Sequence, residues 1–581
     1  MKKLFVYFRG YRRDCILGPL FKLLEALFEL FVPLVVAAMI DTGIAAGDYG
    51  YIGRMSLLLA ALGVIGLAFS ITAQYFAARA AVGFTGRLRH ALFAHIGRLS
   101  YTELDGLGTS TMLTRLTSDM NQVQSGVNLT LRLLLRSPFV VFGAMIMAFT
   151  IDVPSALVFV VAIPVLSLVV FGIMLLCIPL YKKVQTRLDG VTGHTRENIA
   201  GARVIRAFCR EEQETADFHR RNDALTAVQE RVGRLSAALN PLTYVLINAA
   251  IMVLLYTGAV RVDTGLLTAG QVVALYNYMS QILVELIKLA NLIINMTKSV
   301  ACANRIAAVL DLPAGMPEGE SVPAPVPGAP AVSFRDVSLS YRGASGAALS
   351  GVTFDAMPGE TIGVIGGTGS GKSSLVGLLL RAYDVSAGSV MLDGADVRDY
   401  PLAALRARVG LVPQKAELFH GSIRENLLFG CRTADDARLE EALAAAQAAD
   451  FVAEKPGGLD FIVEAGGRNL SGGQRQRLTI ARALVRRPDV LILDDSASAL
   501  DFATDAALRR SLRELPYHPT VFVVSQRTSS LAHADRIIVL DEGRPVGIGT
   551  HAQLLENCPV YREIYDSQYK KEEQGKGGVC A

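Results

Sequence analysis

None of the seven cysteines in this 581-residue chain sits in a CxxC pair. Cys15, Cys177, Cys209, Cys302, Cys431, Cys558 and Cys580 are scattered, which argues against a disulfide framework or a zinc site and for free thiols in a reducing compartment. Net charge is also scarce. The balance of 57 Lys+Arg against 53 Asp+Glu leaves +4, so nothing in it marks a nucleic-acid binder. No short apolar segment followed by a small-residue cleavage site opens the chain, so no cleaved secretory signal is expected. What the chain has in excess is apolar surface. It is 51% hydrophobic with a mean hydropathy of +0.37, high for a wholly water-soluble protein, and long enough for two or more domains.

The excess is not spread evenly. Up to about residue 312, long apolar runs alternate with basic loops. A hydrocarbon layer of roughly 30 Å needs about 20 apolar residues in a helix, and six stretches qualify: about 16–44, 55–80, 130–151, 153–180, 239–260 and 266–294. The positively charged start (Lys2, Lys3, Arg9, Arg12, Arg13) predicts a cytoplasmic N-terminus. The short connections "DTGIAAGDYG" and "TIDVPS" then fall outside, and the charged connections 81–129 and 181–238 read as helical extensions into the cytoplasm. An even number of spans returns the rest of the chain to the cytoplasm, and a plasma (inner) membrane is the expected location. Lys22, Glu25 and Glu29 share one helix face, as do Glu285 and Lys288. Two readings stay open for them: a polar path or cationic-substrate site, or local ion pairing.

Residues 313–330 are rich in Pro and Gly and read as a linker between a membrane domain (1–312) and a soluble α/β domain (331–569). Residues 570–581 are polar and read as a disordered tail. In the soluble half, "GGTGSGKSS" follows the strand-like "TIGVI" and precedes the helix-like "SLVGLLLRAY". Its Gly366, Gly367, Thr368, Gly369, Ser370, Gly371, Lys372, Ser373 and Ser374 form a phosphate loop: glycines let backbone N–H groups wrap phosphates at a helix N-terminus. Lys372 is expected to reach the β- and γ-phosphates, and Ser373 to ligate Mg²⁺.

"LSGGQRQRLTIARAL" (470–484), followed at the proper distance by "LILDD", resembles the signature of ATP-binding cassette (ABC) proteins. The resemblance covers nearly the whole chain. It implies the plan of an ABC exporter half-transporter: six membrane helices with long cytoplasmic extensions, then a P-loop NTPase cassette with a helical subdomain. It further implies roles for single residues. Tyr341 would stack on adenine, Gln414 would touch Mg²⁺ and link the cassette to the membrane helices, and Asp494 would hold Mg²⁺. Ser471, Gly472, Gly473 and Gln474 would contact ATP held by the opposite cassette, and Asp501 would signal between the two sites. By the same analogy, coupling segments lie near 101–112 and 190–200.

Two positions depart from the family pattern. Asp495 stands where a general-base Glu is usual, and Gln526 where a His near the γ-phosphate is usual. One methylene less retracts a carboxylate by roughly 1.5 Å, and a glutamine donates a hydrogen bond but carries no charge. The chain thus pairs a weakened ATP site with an intact signature, a pattern that resembles the degenerate-site half of heterodimeric multidrug-type ABC exporters. "GGRN" (466–469) fits that resemblance. The expected partner is a second ABC half-transporter with Glu and His in place. The alternatives are an ATP-binding regulatory subunit, an importer of metal chelates built on the exporter plan, and a slow homodimeric exporter.

Overall fold

The computed structural model describes residues 2–496 and 499–576. They form two units: one of residues up to Arg98 plus Leu107–Leu312, the other of Leu99–Gly106 plus everything from Pro313 onward.

The first unit contains six helices long and apolar enough to cross a membrane: Arg12–Ile44, Tyr49–Ile96, Thr109–Ile151, Val153–Ala200, Glu211–Asp263 and Ala269–Leu310. The second and fourth are each 48 residues long. At 1.5 Å per residue that is about 70 Å, roughly twice the hydrocarbon thickness, so each carries an apolar span and a long charged extension. Side chains in the short connections start the helices. Asp152 accepts the backbone N–H of Ser155 (2.9 Å) at the start of the fourth and is held by Arg261 (2.7 Å). Thr268 and Gln271 form a capping box at the start of the sixth, tied to the first by Asp41, which accepts from Gly270 N at 2.7 Å. The first and second helices approach closely because small residues meet. Ala73, Ala77 and Ala81 recur every fourth residue and are fully buried, and a Cβ on Gly18 would lie 3.3 Å from Ala77 N.

The ionisable residues inside the spans resolve into ion pairs. Lys22 binds Glu25 (2.5 Å), and Lys288 binds Glu285 (2.8 Å). Arg136, which the sequence reading passed over, joins three helices by contacting Glu29 (2.6 Å) and Glu285 (2.6 Å) at once. Ser137 donates a further hydrogen bond to Glu285 (2.8 Å). Of the two readings left open, local pairing is what the structure contains.

The second unit is built on a six-stranded sheet in the order β12–β11–β3–β10–β9–β6. Its members are β3 (Thr361–Gly366), β6 (Val409–Val412), β9 (Val490–Asp494), β10 (Thr520–Val524), β11 (Arg536–Asp541) and β12 (Arg544–Gly549). Only β12 runs antiparallel to its neighbour. Strands covered on both faces need continuous apolar runs, and "TIGVI", "VLIL" and "TVFVV" supply them. A four-stranded antiparallel sheet, β2–β1–β4–β5, packs against it through Phe334, Phe354 and Phe522; its strands are β1 (Val332–Leu339), β2 (Leu349–Ala356), β4 (Ala387–Leu392) and β5 (Ala395–Asp396). A separate core gathers Leu427, Leu443, Phe451 and Leu478 from the helices between β6 and β9. This region also holds the short pair β7 (Gly421–Ser422) and β8 (Ile462–Val463).

The Pro/Gly-rich segment 313–330 forms no helix or strand, as its composition dictates, but its polar groups are not left to water. Gly319 N donates to Tyr400 O (3.4 Å), Glu318 accepts from Leu402 N (3.1 Å), and Val326 N donates to Asp393 O (3.1 Å). It is a strap laid along the cassette. At the other end, helix Pro559–Lys576 continues into the stretch expected to be disordered from 570, and residues 577–581 lie outside the described residues. Leu99–Gly106, in the first expected coupling segment, belongs to the cassette unit. Within that unit Leu99 bridges Ala314, Arg342 donates to Glu103 (3.0 Å) and Tyr383 donates to Asp105 (2.6 Å).

Candidate functional site

The carboxyl ends of three adjacent parallel strands, β3, β10 and β9, converge at one edge of the sheet, where such folds bind ligands. The phosphate loop leaves β3 at Gly366 and enters helix Lys372–Leu379. Two of its glycines are required by backbone geometry. Gly371 has φ 93°, and a Cβ there would lie 2.6 Å from Ala348 O. Gly369 also has a left-handed backbone, with φ 82°. Gly367, Thr368 and Ser370 complete the loop, and the Lys372 ammonium folds back over it, donating to Gly366 O (3.0 Å) and Gly367 O (2.7 Å). The loop leaves backbone N–H groups at a helix N-terminus, which suits phosphate.

At the tip of β9, Asp494 faces the same loop. The Ser373 hydroxyl bonds to its carboxylate. Burial holds the Asp494 carboxyl above its usual range, and the neighbouring Asp495 charge adds to that, while Ser373 and Lys372 oppose it. Burial likewise lowers the Lys372 ammonium, against the pull of Asp494 and Asp495. A hydroxyl and a carboxylate set against one another are the hard oxygen donors that Mg²⁺ takes alongside substrate phosphates. A divalent cation there would relieve the penalty of the buried carboxylate.

Asp495 occupies a left-handed backbone (φ 49°), with its N–H donated to Val524 O at 2.9 Å. Gln526, two residues beyond the end of β10, has an exposed side chain. Its carbonyl accepts from Gln568 Nε2 (2.7 Å), while Gln568 Oε1 accepts both Thr528 N and Thr528 Oγ1 at 2.9 Å. One amide of the C-terminal helix thus pins the backbone behind Gln526. No motif marks Gln568, and the sequence reading passed over it.

The remaining candidates fall into two places. Tyr341 shares a hydrogen bond with Ser374 (2.7 Å), in the first turn of the phosphate-loop helix, and meets the ring of Tyr383 edge-on at 5.0 Å. Tyr383 hydroxyl is raised well above its ordinary range by burial and by Asp105. Gln414, exposed just past β6, lines a groove of about 620 Å³ with His420, Gly472, Gln476 and Ala499. Ser471 caps the signature helix Gly472–Leu484 in a reciprocal box with Gln474 (3.1 and 3.3 Å), and a Cβ on Gly473 would approach Ala499 O at 3.2 Å. Among the described residues none of these four meets the phosphate loop. "GGRN" has a local structural use: Gly466 and Gly467 both have positive φ, and Asn469 bonds the backbone of Glu464 (3.0 Å) and Ile462 (2.9 Å). Asp501 caps helix Phe502–Arg513 by accepting Thr504 N (2.8 Å), and that hydrogen bond lowers its carboxyl pKa.

A phosphate-loop cassette with a signature helix, on a chain carrying six membrane-crossing helices, defines an integral membrane protein of the ATP-driven transport class. Comparison with known proteins narrows this. Residues 15–286 match the family described as ABC transporter transmembrane region, and residues 349–498 that described as ABC transporter. An uncharacterized ABC transporter ATP-binding protein of Mycobacterium tuberculosis is 38% identical over 97% of both chains. An ATP-dependent lipid A-core flippase of Chromobacterium violaceum is 31% identical, covering 98% of this chain and 97% of its own. The structure of a bacterial Atm1-family ABC exporter with ATP bound shares the fold, with a TM-score of 0.81 at 24% identity over 96% of this chain and 98% of that one. The chain belongs to the ABC transporter family.

Proposed function

We propose that this chain is one half of an ATP-driven exporter of hydrophobic or amphipathic small molecules, lipids or peptides, and that it works beside a second, different half-transporter. On this reading its own ATP site binds strongly and cleaves slowly. One juxtaposition carries the proposal: Asp495 directly follows Asp494 beside Lys372, and Gln526 follows the neighbouring strand. Both are weaker for hydrolysis than the family's usual Glu and His. General-base catalysis contributes roughly 10²–10⁴-fold, so a base retracted by about one bond length forfeits much of that.

The other residues keep their tasks. Gly366–Ser374 cradle phosphates, Lys372 turns from its loop carbonyls to the ligand, and Ser373 with Asp494, joined by Gln414, would hold Mg²⁺. Mg²⁺ held by these residues would supply charge stabilisation to the phosphates. Tyr341 would offer a ring for adenine, Ser471–Gln474 would complete the partner's site, and Asp501 would signal between the two sites. The lipid end of the substrate range draws support from the flippase relative.

ATPase assays on co-purified halves test the division of labour. Neutralising the partner's general base should stop almost all turnover, whereas Asp495→Asn should leave most of it. Equal losses would refute the weak-site reading. Transport of fluorescent drugs, lipids and peptides into vesicles by the same pair tests the substrate range.

A further inference from the structure

In the membrane unit a cavity of about 680 Å³ is lined by residues of the N-terminal turn and of the helices packed against it, and by none of the buried ion-pair residues. Phe5 and Phe8 from the N-terminal turn line it together with Phe84, Val127 and Val300. The wall is apolar almost throughout, and Arg12 is its one charged lining residue. Pockets for drug-sized ligands span roughly 300–1,000 Å³, so a hollow of this size takes a hydrocarbon chain.

The sequence around Arg12 has the opposite character. Five cations fall within the first thirteen residues, and the acid that follows them, Asp14, is already in contact with Arg79 at 3.7 Å. Lys3 is neutralised by Asp311 (2.5 Å). Arg9, Arg12 and Arg13 have no ion pair among the described residues, and the Arg87 guanidinium stands over the Tyr11 ring at 5.0 Å beside them. The N-terminal turn also leaves Phe5 60% and Val6 54% exposed, the mixed character of a segment lying at a bilayer surface.

We propose that this cavity is a binding site for an anionic phospholipid of the bilayer, with one acyl chain in the apolar hollow and the phosphate held by Arg12. Charge complementarity selects the occupant. An apolar chain alone would fill the hollow but leave the Arg12 guanidinium uncompensated. A guanidinium fork matches a phosphate in two-point geometry, and the flanking arginines supply the field that favours a net negative headgroup over a zwitterionic one. The site is independent of the ATP-site reading, because no residue of the cassette lines it.

The test is native mass spectrometry of the full-length protein in detergent, titrated with phosphatidylglycerol and, separately, phosphatidylcholine. The wild type should bind phosphatidylglycerol more tightly. Arg12→Gln, at an exposed position that leaves the fold intact, should weaken it about tenfold, the scale of one hydrogen bond to a charged group, without changing phosphatidylcholine binding. Val127→Phe should weaken both lipids by reducing the hollow. Millimolar inorganic phosphate should not displace the lipid, because the acyl chain carries much of the affinity. Equal affinity for the two lipids, or an unchanged Arg12→Gln, would overturn the proposal. So would a cavity occupied by a second copy of the chain, seen as cross-links from Cys15 to another protomer that exclude lipid.

Discussion

Restoring the longer carboxylate at position 495 and an imidazole at 526 is the perturbation that bears most directly on the weak-site reading. Asp495→Glu carries its carboxylate about 1.5 Å further, the length of one carbon–carbon bond. If reach is what limits the site, recovering general-base catalysis is worth 10²–10⁴-fold, or about 2.7–5.4 kcal/mol. Against this stands the backbone. Residue 495 has φ 49°, a conformation that aspartate tolerates better than most residues, and ordinary side chains lose about 1–2 kcal/mol there. The gain exceeds the cost even at the unfavourable ends of both ranges. Asp495→Glu with Gln526→His should therefore raise turnover at this site at least about threefold. The assay is steady-state ATPase of the full-length pair in which the partner's general base has been neutralised, so that only this site counts. Two results would refute the reasoning. Undiminished turnover in that background before any repair would mean that the site is not weak. No gain from the double substitution would mean that the short carboxylate is not the cause.

Arg136→Met takes the shared cation from Glu29 and Glu285, leaving Lys288 on Glu285, and should cost about 1.5–3 kcal/mol of stability; adding Glu285→Gln should recover much of it, which thermal unfolding in detergent would show. Glu360 has its pKa pushed up by burial but pulled down further by the Arg536 fork (2.5 and 2.6 Å), leaving it below the ordinary value. A carboxyl lowered in this way contributes stability above its unfolded pKa, and that stability is lost as pH falls through the folded value. Glu360→Gln should therefore flatten the melting temperature's acid dependence below about pH 4.5. Gln568→Ala leaves Thr528 and the Gln526 carbonyl without their partners and should weaken ATP binding several-fold; Gln568→Glu, which keeps the acceptor for Thr528, should retain more of the affinity, as nucleotide-binding titrations would report.

The parts of the site that were legible are those whose chemistry is local. A loop that wraps phosphate with its backbone must be glycine-rich between a strand and a helix, and a carboxylate at a strand tip must follow an apolar run. Both constraints fit within a dozen residues, so Gly366–Ser374 and Asp494 stand out. Gln568 and Tyr383 act through contacts made across long stretches of chain, with no periodicity to announce them. Arg136 shows the same limit: spacing put Lys22, Glu25 and Glu29 on one face, but the arginine that neutralises Glu29 is 107 residues away. Composition forbade helix in 313–330 without revealing that the backbones of Asp393, Tyr400 and Leu402 would hold it down. The aspartate at 495 has two physical readings, a short base and a residue suited to a left-handed turn, and only the second needed coordinates to be seen.

The placement of Leu99–Gly106 in the cassette unit has a mechanical consequence. The polypeptide leaves the membrane half at Arg98, passes through the cassette, returns at Leu107, and crosses again for good at Pro313. The cassette is therefore leashed by three backbone crossings rather than hung from one. Two of those crossings are the covalent links of Leu99–Gly106 to the end of helix Tyr49–Ile96 and the start of Thr109–Ile151. Cutting the strap at 313–330 would remove one leash and leave the other two, held to the cassette by the Glu103 and Asp105 contacts.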